Sequence, residues 1–164
     1  TIIKAVDYFS VNKIGALIIL ERETSLNDIV ETGTKIDSIL SEELFGSIFY
    51  LGSPLHDGAT IVRGDRILAA GCVLPLTQNR TLSKDLGTRH RAGIGITENS
   101  DAIALIVSEE TGIISIAIDG KLSRFLDIKT VEKTLLNVYM SQLADDKSKN
   151  FFSKLFGNRG DKDE

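Results

Sequence analysis

The period of the apolar positions changes several times along the chain, and each change predicts an element. Ile2, Val6 and Phe9, with Ile3 beside them, recur at helical spacing. "IGALIILE" is apolar almost throughout and too short for a core helix, so it reads as a buried strand. "LNDIVETG" follows Ser25, a candidate cap, and ends on Gly33, which together predict a short helix. In "DSILSEELFGSIF" the apolar residues Ile39, Leu40, Leu44, Phe45 and Ile48 predict a second helix. "LGSPLHDG" is a loop by its glycines and proline. "ATIVRGDRILAAGCVLPL" predicts two strands joined by a turn at 63–65.

A polar connection, "TQNRTLSKDLGTR", then leads into a helix that carries "GTRHRAGIG". "AIALIVSEE" predicts a strand, "TG" a turn, and "IISIAIDG" another strand. "TVEKTLLNVYMSQLA" predicts an amphipathic helix with Val131, Leu135, Val138 and Leu143 inward. Beyond Ala144 the composition turns charged, so 144–164 is expected to be a flexible tail behind a domain spanning 1–143. Strands and helices in this order predict an α/β fold: one domain with a mixed central β-sheet flanked by helices.

Composition narrows the function. With 164 residues the chain can bury one sizeable core. A net charge of −4 argues against a general electrostatic grip on nucleic acid or on an anionic membrane, so any anion site must be local. Cys72, the single cysteine, excludes a disulfide scaffold and a cysteine-based zinc site, and fits a reducing cytosol. No apolar run approaches the ~20 residues of a spanning helix. The sequence contains no H-E-x-x-H, G-x-S-x-G or phosphate-loop pattern, which leaves a zinc protease, an ordinary serine hydrolase and a P-loop NTPase unsupported.

Three clusters could carry chemistry. In "LHDGA", Asp57 can bind a metal or orient a hydroxyl, and Gly58 lets a ligand approach the backbone; Asp-Gly is equally a common turn pair. In "GTRHR", Thr88 offers a hydroxyl, and Arg89 and Arg91 offer donor forks that suit phosphate. Residues two apart on a helix point about 200° away from each other, so one arginine can face a phosphate while the other braces a carboxylate or a partner chain. Taken singly, His90 reads as a hydrogen-bonded packing residue. The small residues that follow suit a surface where an anion comes close to the backbone, or a tightly packed helix. In "SEETG", Ser108 can donate to a phosphate oxygen, and Glu109 or Glu110 can hold a divalent cation or neutralise an arginine. A strand ending in a charged turn is the simpler reading of that cluster.

Together, "LHDGA", "GTRHRAGIGITENSDA" and "VSEETGIIS" resemble the hallmark segments of the diadenylate cyclase domain family, in which Asp-Gly-Ala and Arg-His-Arg motifs mark the active site. The resemblance spans roughly residues 5–142 and keeps both motifs in order, about thirty residues apart. It is closest to the membrane-anchored type, whose cyclase domain follows N-terminal transmembrane helices. The implied place is therefore a cytoplasmic domain, held at the cell membrane only through segments before Thr1.

The resemblance implies condensation of two ATP into cyclic di-AMP and two pyrophosphates, with each 3′-hydroxyl attacking the other nucleotide's α-phosphorus. It implies a divalent cofactor, Mn2+ or Mg2+, and a homodimer with two facing sites. Asp57, Gly58 and Ala59 would form the catalytic motif. Leu74, Thr88, Arg89, His90, Arg91, Ser108 and Glu109 would form the nucleotide site, with adenine along "CVLPL" and the triphosphate on Thr88, Arg89 and Ser108. His56, Asp57 and Glu110 are the candidate metal ligands. A free aspartate titrates at about 3.9 and is a poor base for a sugar hydroxyl unaided, which makes the metal chemically useful. Two other classes compete: a non-catalytic nucleotide-binding regulator on the same fold, and a scaffold whose "SKDLGTRHR" segment docks a protein. The Asp57 and SEE carboxylates argue against the regulator. No regulatory protein is named by the sequence.

Overall fold

The computed structural model describes the backbone of residues 1–156 and the side chains of residues 1–150. Two compact units are present, Thr1–Ile128 and Lys129–Glu164. The first is built on a seven-stranded mixed sheet in the order β2-β4-β3-β1-β5-β6-β7.

At its centre lies β1 (Ala16–Glu21), flanked by β3 (Ala59–Arg63) in parallel and β5 (Ile103–Val107) antiparallel. Their near-continuous apolar runs follow from cover on both faces. β3 turns at Gly64 into β4 (Arg66–Cys72), and β6 (Ile114–Ile118) turns into β7 (Lys121–Leu126). One face carries α4 (Thr88–Glu98), which packs with Ala92, Ile94 and Ile96 over Leu17, Ile19, Ile61, Ala104 and Ile106. α1 (Ile2–Asn12) packs against β5 and against α3 (Glu42–Phe49), and Phe9 meets Phe49 edge to face at 5.4 Å. A short α2 (Asn27–Val30) sits by β4.

The α/β expectation, with its mixed sheet and flanking helices, matches this architecture. Two strands were not legible. "DSI" does not open a helix but closes β2 (Thr34–Ile39); the helix begins only after Ser41, whose Oγ accepts from the Leu44 N–H at 3.0 Å. β7 was missed altogether. Both are edge strands with a half-exposed alternation and no apolar run. Ser25 stands one residue too early to cap α2, whose cap is Leu26, and the helix ends at Val30, short of Gly33.

The second unit is α5 (Ile128–Phe156) as far as it is described. The helix runs through Ala144 without a break, so the change to charged composition is not a change of secondary structure. Leu143, expected inward, is exposed. Residues 157–164 of the expected tail lie outside the described residues.

The glycines of α4 are explained by packing. A Cβ on Gly95 would land on the Pro75 carbonyl, and one on Gly93 would stand 2.9 Å from Ile106 Cδ1. Both face protein, so close helix packing, not an approaching anion, accounts for them. Gly46 in α3, by contrast, has open space where a Cβ would go. Gly95→Ala is therefore expected to destabilise the domain by at least about 1 kcal/mol, because overpacking outweighs the gain in helix propensity. Gly46→Ala should stabilise it by about 0.5–1 kcal/mol. Urea unfolding of both variants checks the opposite signs.

Candidate active site

Three loops at the ends of β1's neighbours and the start of α4 converge on one cavity of about 1040 Å³. Asp57 enters from the turn before β3. Gly58 has φ 105, and a Cβ there would sit 2.8 Å from the Cys72 carbonyl oxygen, so only glycine lets this turn lie on the end of β4. Ala59 starts β3, is fully buried opposite Cys72 and does not line the cavity. The triplet thus divides into an accessible carboxylate, a backbone requirement and a core residue.

His56 also lines the cavity. Its Nδ1 lies 2.6 Å from the Ser53 carbonyl, which can only accept, so Nδ1 carries a proton and Nε2 is the ring nitrogen left to face a ligand.

α4 starts at Thr88 after Gly87, which gives no side-chain cap, so its first N–H groups lack intrahelical partners. Gly87, Thr88, Arg89 and His90 line the cavity; Arg91 does not. Arg91 instead reaches toward the Ser83 carbonyl at 3.5 Å, and its own carbonyl accepts from the Thr77 N–H at 3.1 Å. The two arginines part company as helical spacing requires. Arg89 pairs with Glu109, Nη1 to Oε2 at 3.1 Å. Gly15 makes room for the pair, since a Cβ there would stand 2.7 Å from Arg89 Nη1 and 2.9 Å from Glu109 Cβ. Glu110 lines the cavity without an ion pair among the described residues.

Ser108 shapes the third loop. Its Oγ accepts from the N–H groups of Glu110 and Thr111, both at 3.3 Å. Leu74 is buried in the core and shows its remaining surface to the cavity. Cys72 lies beside it, with burial pushing its thiol up to about 11, which leaves it protonated and unreactive.

Sequence reasoning missed Asp85, Arg124 and Phe125, all on the cavity wall. Arg124 and Phe125 belong to the unrecognised β7, and nothing in "KLSRFL" sets them apart by type or spacing.

The family model described as DisA bacterial checkpoint controller nucleotide-binding, DAC, matches residues 3–122. The chain belongs to the DAC family. Among DAC relatives, it is 42% identical over 151 residues to cyclic di-AMP synthase CdaA of Bacillus subtilis, covering 92% of this chain and 55% of that protein. It is 41% identical over 158 residues to a diadenylate cyclase of Listeria monocytogenes, covering 96% and 57%. The chain therefore spans little more than half the length of these curated relatives. Among solved structures, DacA from Staphylococcus aureus, as a double mutant, superposes with TM-score 0.81 at 50% identity, over 83% of this chain and 91% of that one. A Bacillus cereus protein described as a hypothetical membrane spanning protein gives 0.74 at 46%, over 77% and 62%. No helix among the described residues of this chain is long and apolar enough to cross a membrane.

His90 is 6% exposed and its Nε2 has no partner. Burial, then the Arg124 and Arg89 guanidiniums, hold its pKa below the usual imidazole value. Between that lowered value and about 6.5 the unfolded chain binds a proton that the folded domain does not, so acidification favours unfolding. Stability tied to His90 should be whole above pH 6.5 and fall as the pH drops through it. Melting curves from pH 7.5 to 5.5 should fall more steeply for the wild type than for His90→Gln, with His56 common to both; parallel curves would remove His90 from the pH dependence.

Proposed function

We propose that this domain is a diadenylate cyclase, condensing two ATP into cyclic di-AMP and two pyrophosphates across a face-to-face homodimer. The observation that carries this is the convergence of Asp57, the α4 N-terminus with Arg89, and the Ser108–Glu110 turn on one cavity in a chain of the DAC family.

Each side chain has a distinct task in this reading. Thr88, Arg89 and Ser108 hold the triphosphate, helped by the free N–H groups at the helix start. Glu109 holds the Arg89 fork in place before the nucleotide arrives. Leu74 and the backbone around it receive the adenine. Asp57 orients the 3′-hydroxyl that attacks the facing nucleotide. Phosphoryl transfer mainly needs such positioning and charge stabilisation.

A divalent metal fits the donor set. Four carboxylates (Asp57, Asp85, Glu109 and Glu110) and two guanidiniums (Arg89 and Arg124) line the cavity, so its own charge is negative before a triphosphate enters. Added positive charge is needed. Among the described residues no three histidine, cysteine or acidic side chains form a ready-made cage, so His56, Asp57 and Glu110 do not stand as a preassembled set. Mg2+ and Mn2+ suit such a site, because they are commonly held by one or two carboxylates together with substrate phosphates. Asp57 is the first such ligand, with His56 Nε2 and Glu110 as additional donors. When bound, the metal acidifies the hydroxyl and neutralises phosphate charge.

The product has two-fold symmetry, so two facing protomers are the simplest way to build it. Val73, Leu76 and Phe125, 67%, 46% and 72% exposed at the cavity rim, form an apolar border suited to a second copy. Anchorage at a membrane by segments outside this chain is part of the same proposal, in keeping with the membrane spanning Bacillus cereus protein.

The test uses ATP with Mn2+ and identifies products by mass. Cyclic di-AMP is expected from the wild type and none from Asp57→Asn; absence of cyclic product from the wild type would leave a nucleotide-binding regulator instead. Tethering one wild-type chain to one Asp57→Asn chain should build up a linear triphosphate-bearing dinucleotide, because only one of two centres retains its carboxylate. Cyclic product at about half the wild-type rate without the linear species would contradict the facing-dimer mechanism.

A further inference from the structure

The β6–β7 ladder contains an irregularity at the cavity wall. Ile114 pairs with Leu126 and Ile116 with Ser123, so three steps on β7 oppose two on β6. The extra residue falls at Arg124–Phe125, where Phe125 has φ 59, a left-handed conformation that aromatic residues rarely adopt. In a regular strand these neighbours would point to opposite faces. Here both line the same cavity, with the Arg124 guanidinium 5.0 Å over the Phe125 ring. A bulge re-aims side chains in this way.

Beyond the Phe125 ring, Arg124 has no hydrogen-bond or ion-pair partner among the described residues. Its Nε is buried without a hydrogen bond, and no carboxylate among the described residues lies within ion-pair distance of it. Arg89, the other cavity guanidinium, is already tied to Glu109. Both arginines and His90 line the same cavity at the start of α4. A planar donor fork facing a cavity with nothing to bind suits the oxygens of a phosphate chain.

We propose that Arg124 is a second cation for the triphosphate of the bound nucleotide, aimed by the β7 bulge. This rests on the nucleotide-binding reading of the cavity. The competing role is purely local: a guanidinium resting on Phe125 at the surface.

The experiment measures calorimetric binding of 3′-deoxy-ATP and of 3′-deoxyadenosine with Mn2+. Neither ligand has the attacking hydroxyl, so binding is read without turnover. Arg124→Ala should weaken 3′-deoxy-ATP at least about tenfold and leave 3′-deoxyadenosine within about twofold, while Arg124→Lys, a point charge without the fork, should fall between. Melting curves accompany each variant; if the alanine variant is unstable, Arg124→Gln replaces it in the same comparison. Binding of 3′-deoxy-ATP within about twofold of wild type, or equal loss for both ligands, overturns the assignment. The two readings fail separately. Wild type that binds 3′-deoxy-ATP yet makes no cyclic product from ATP sinks the cyclase and leaves Arg124 testable. Cyclic product from the wild type, with undiminished 3′-deoxy-ATP binding by the variant, sinks Arg124 alone. A wild type that neither binds 3′-deoxy-ATP nor makes cyclic product from ATP overturns both.

Discussion

The close seating of α4 on the sheet is the constraint on which the site depends. Gly93 and Gly95 let the helix approach Ile106 and the Pro75 carbonyl closer than any side chain would allow. That depth sets where the helix begins, and so where Thr88, Arg89 and the free N–H groups lie. It also joins α4 to the segment after β4 through the Thr77 to Arg91 backbone bond, which fixes the Leu74 wall beside the helix start. Low helix propensity in "RAGIG" is thus exchanged for position.

Charge in the cavity is arranged locally against an acidic background. The chain carries a net charge of −4, and acidic side chains outnumber arginines in the cavity as well. On the proposed reading, anion binding there comes from directed donors and added cations, not from a general field. Glu109 shows the principle at short range: it neutralises Arg89 while holding its fork beside Gly15. Burial and two neighbouring guanidiniums keep His90 neutral, so it adds no positive charge of its own at neutral pH.

The motifs were readable because their chemistry depends on residue type and order. The parting of Arg89 and Arg91 was readable too, since it follows from 3.6 residues per turn. What escaped were features decided by tertiary partners. β2 and β7 sit at the sheet edges, where one side is solvated and no apolar run is required. Missing β7 meant missing Arg124 and Phe125, whose common direction comes from a bulge that only the ladder with β6 reveals. Likewise, Gly58 looked like room for a ligand, while its closest neighbours are the backbone atoms of Gly71 and Cys72. That Glu109 and not Glu110 pairs with Arg89 needed the distance between them.

The central claim is that α4 gives one arginine to the nucleotide and the other to the protein. Measuring ATP affinity and melting temperature for Arg89→Ala and Arg91→Ala tests it most directly. Arg89→Ala should lose at least about 2 kcal/mol of ATP binding with little change in melting. Arg91→Ala should melt lower or dimerise less and still bind ATP. An Arg91→Ala protein that melts and dimerises normally yet cannot bind ATP would contradict the account.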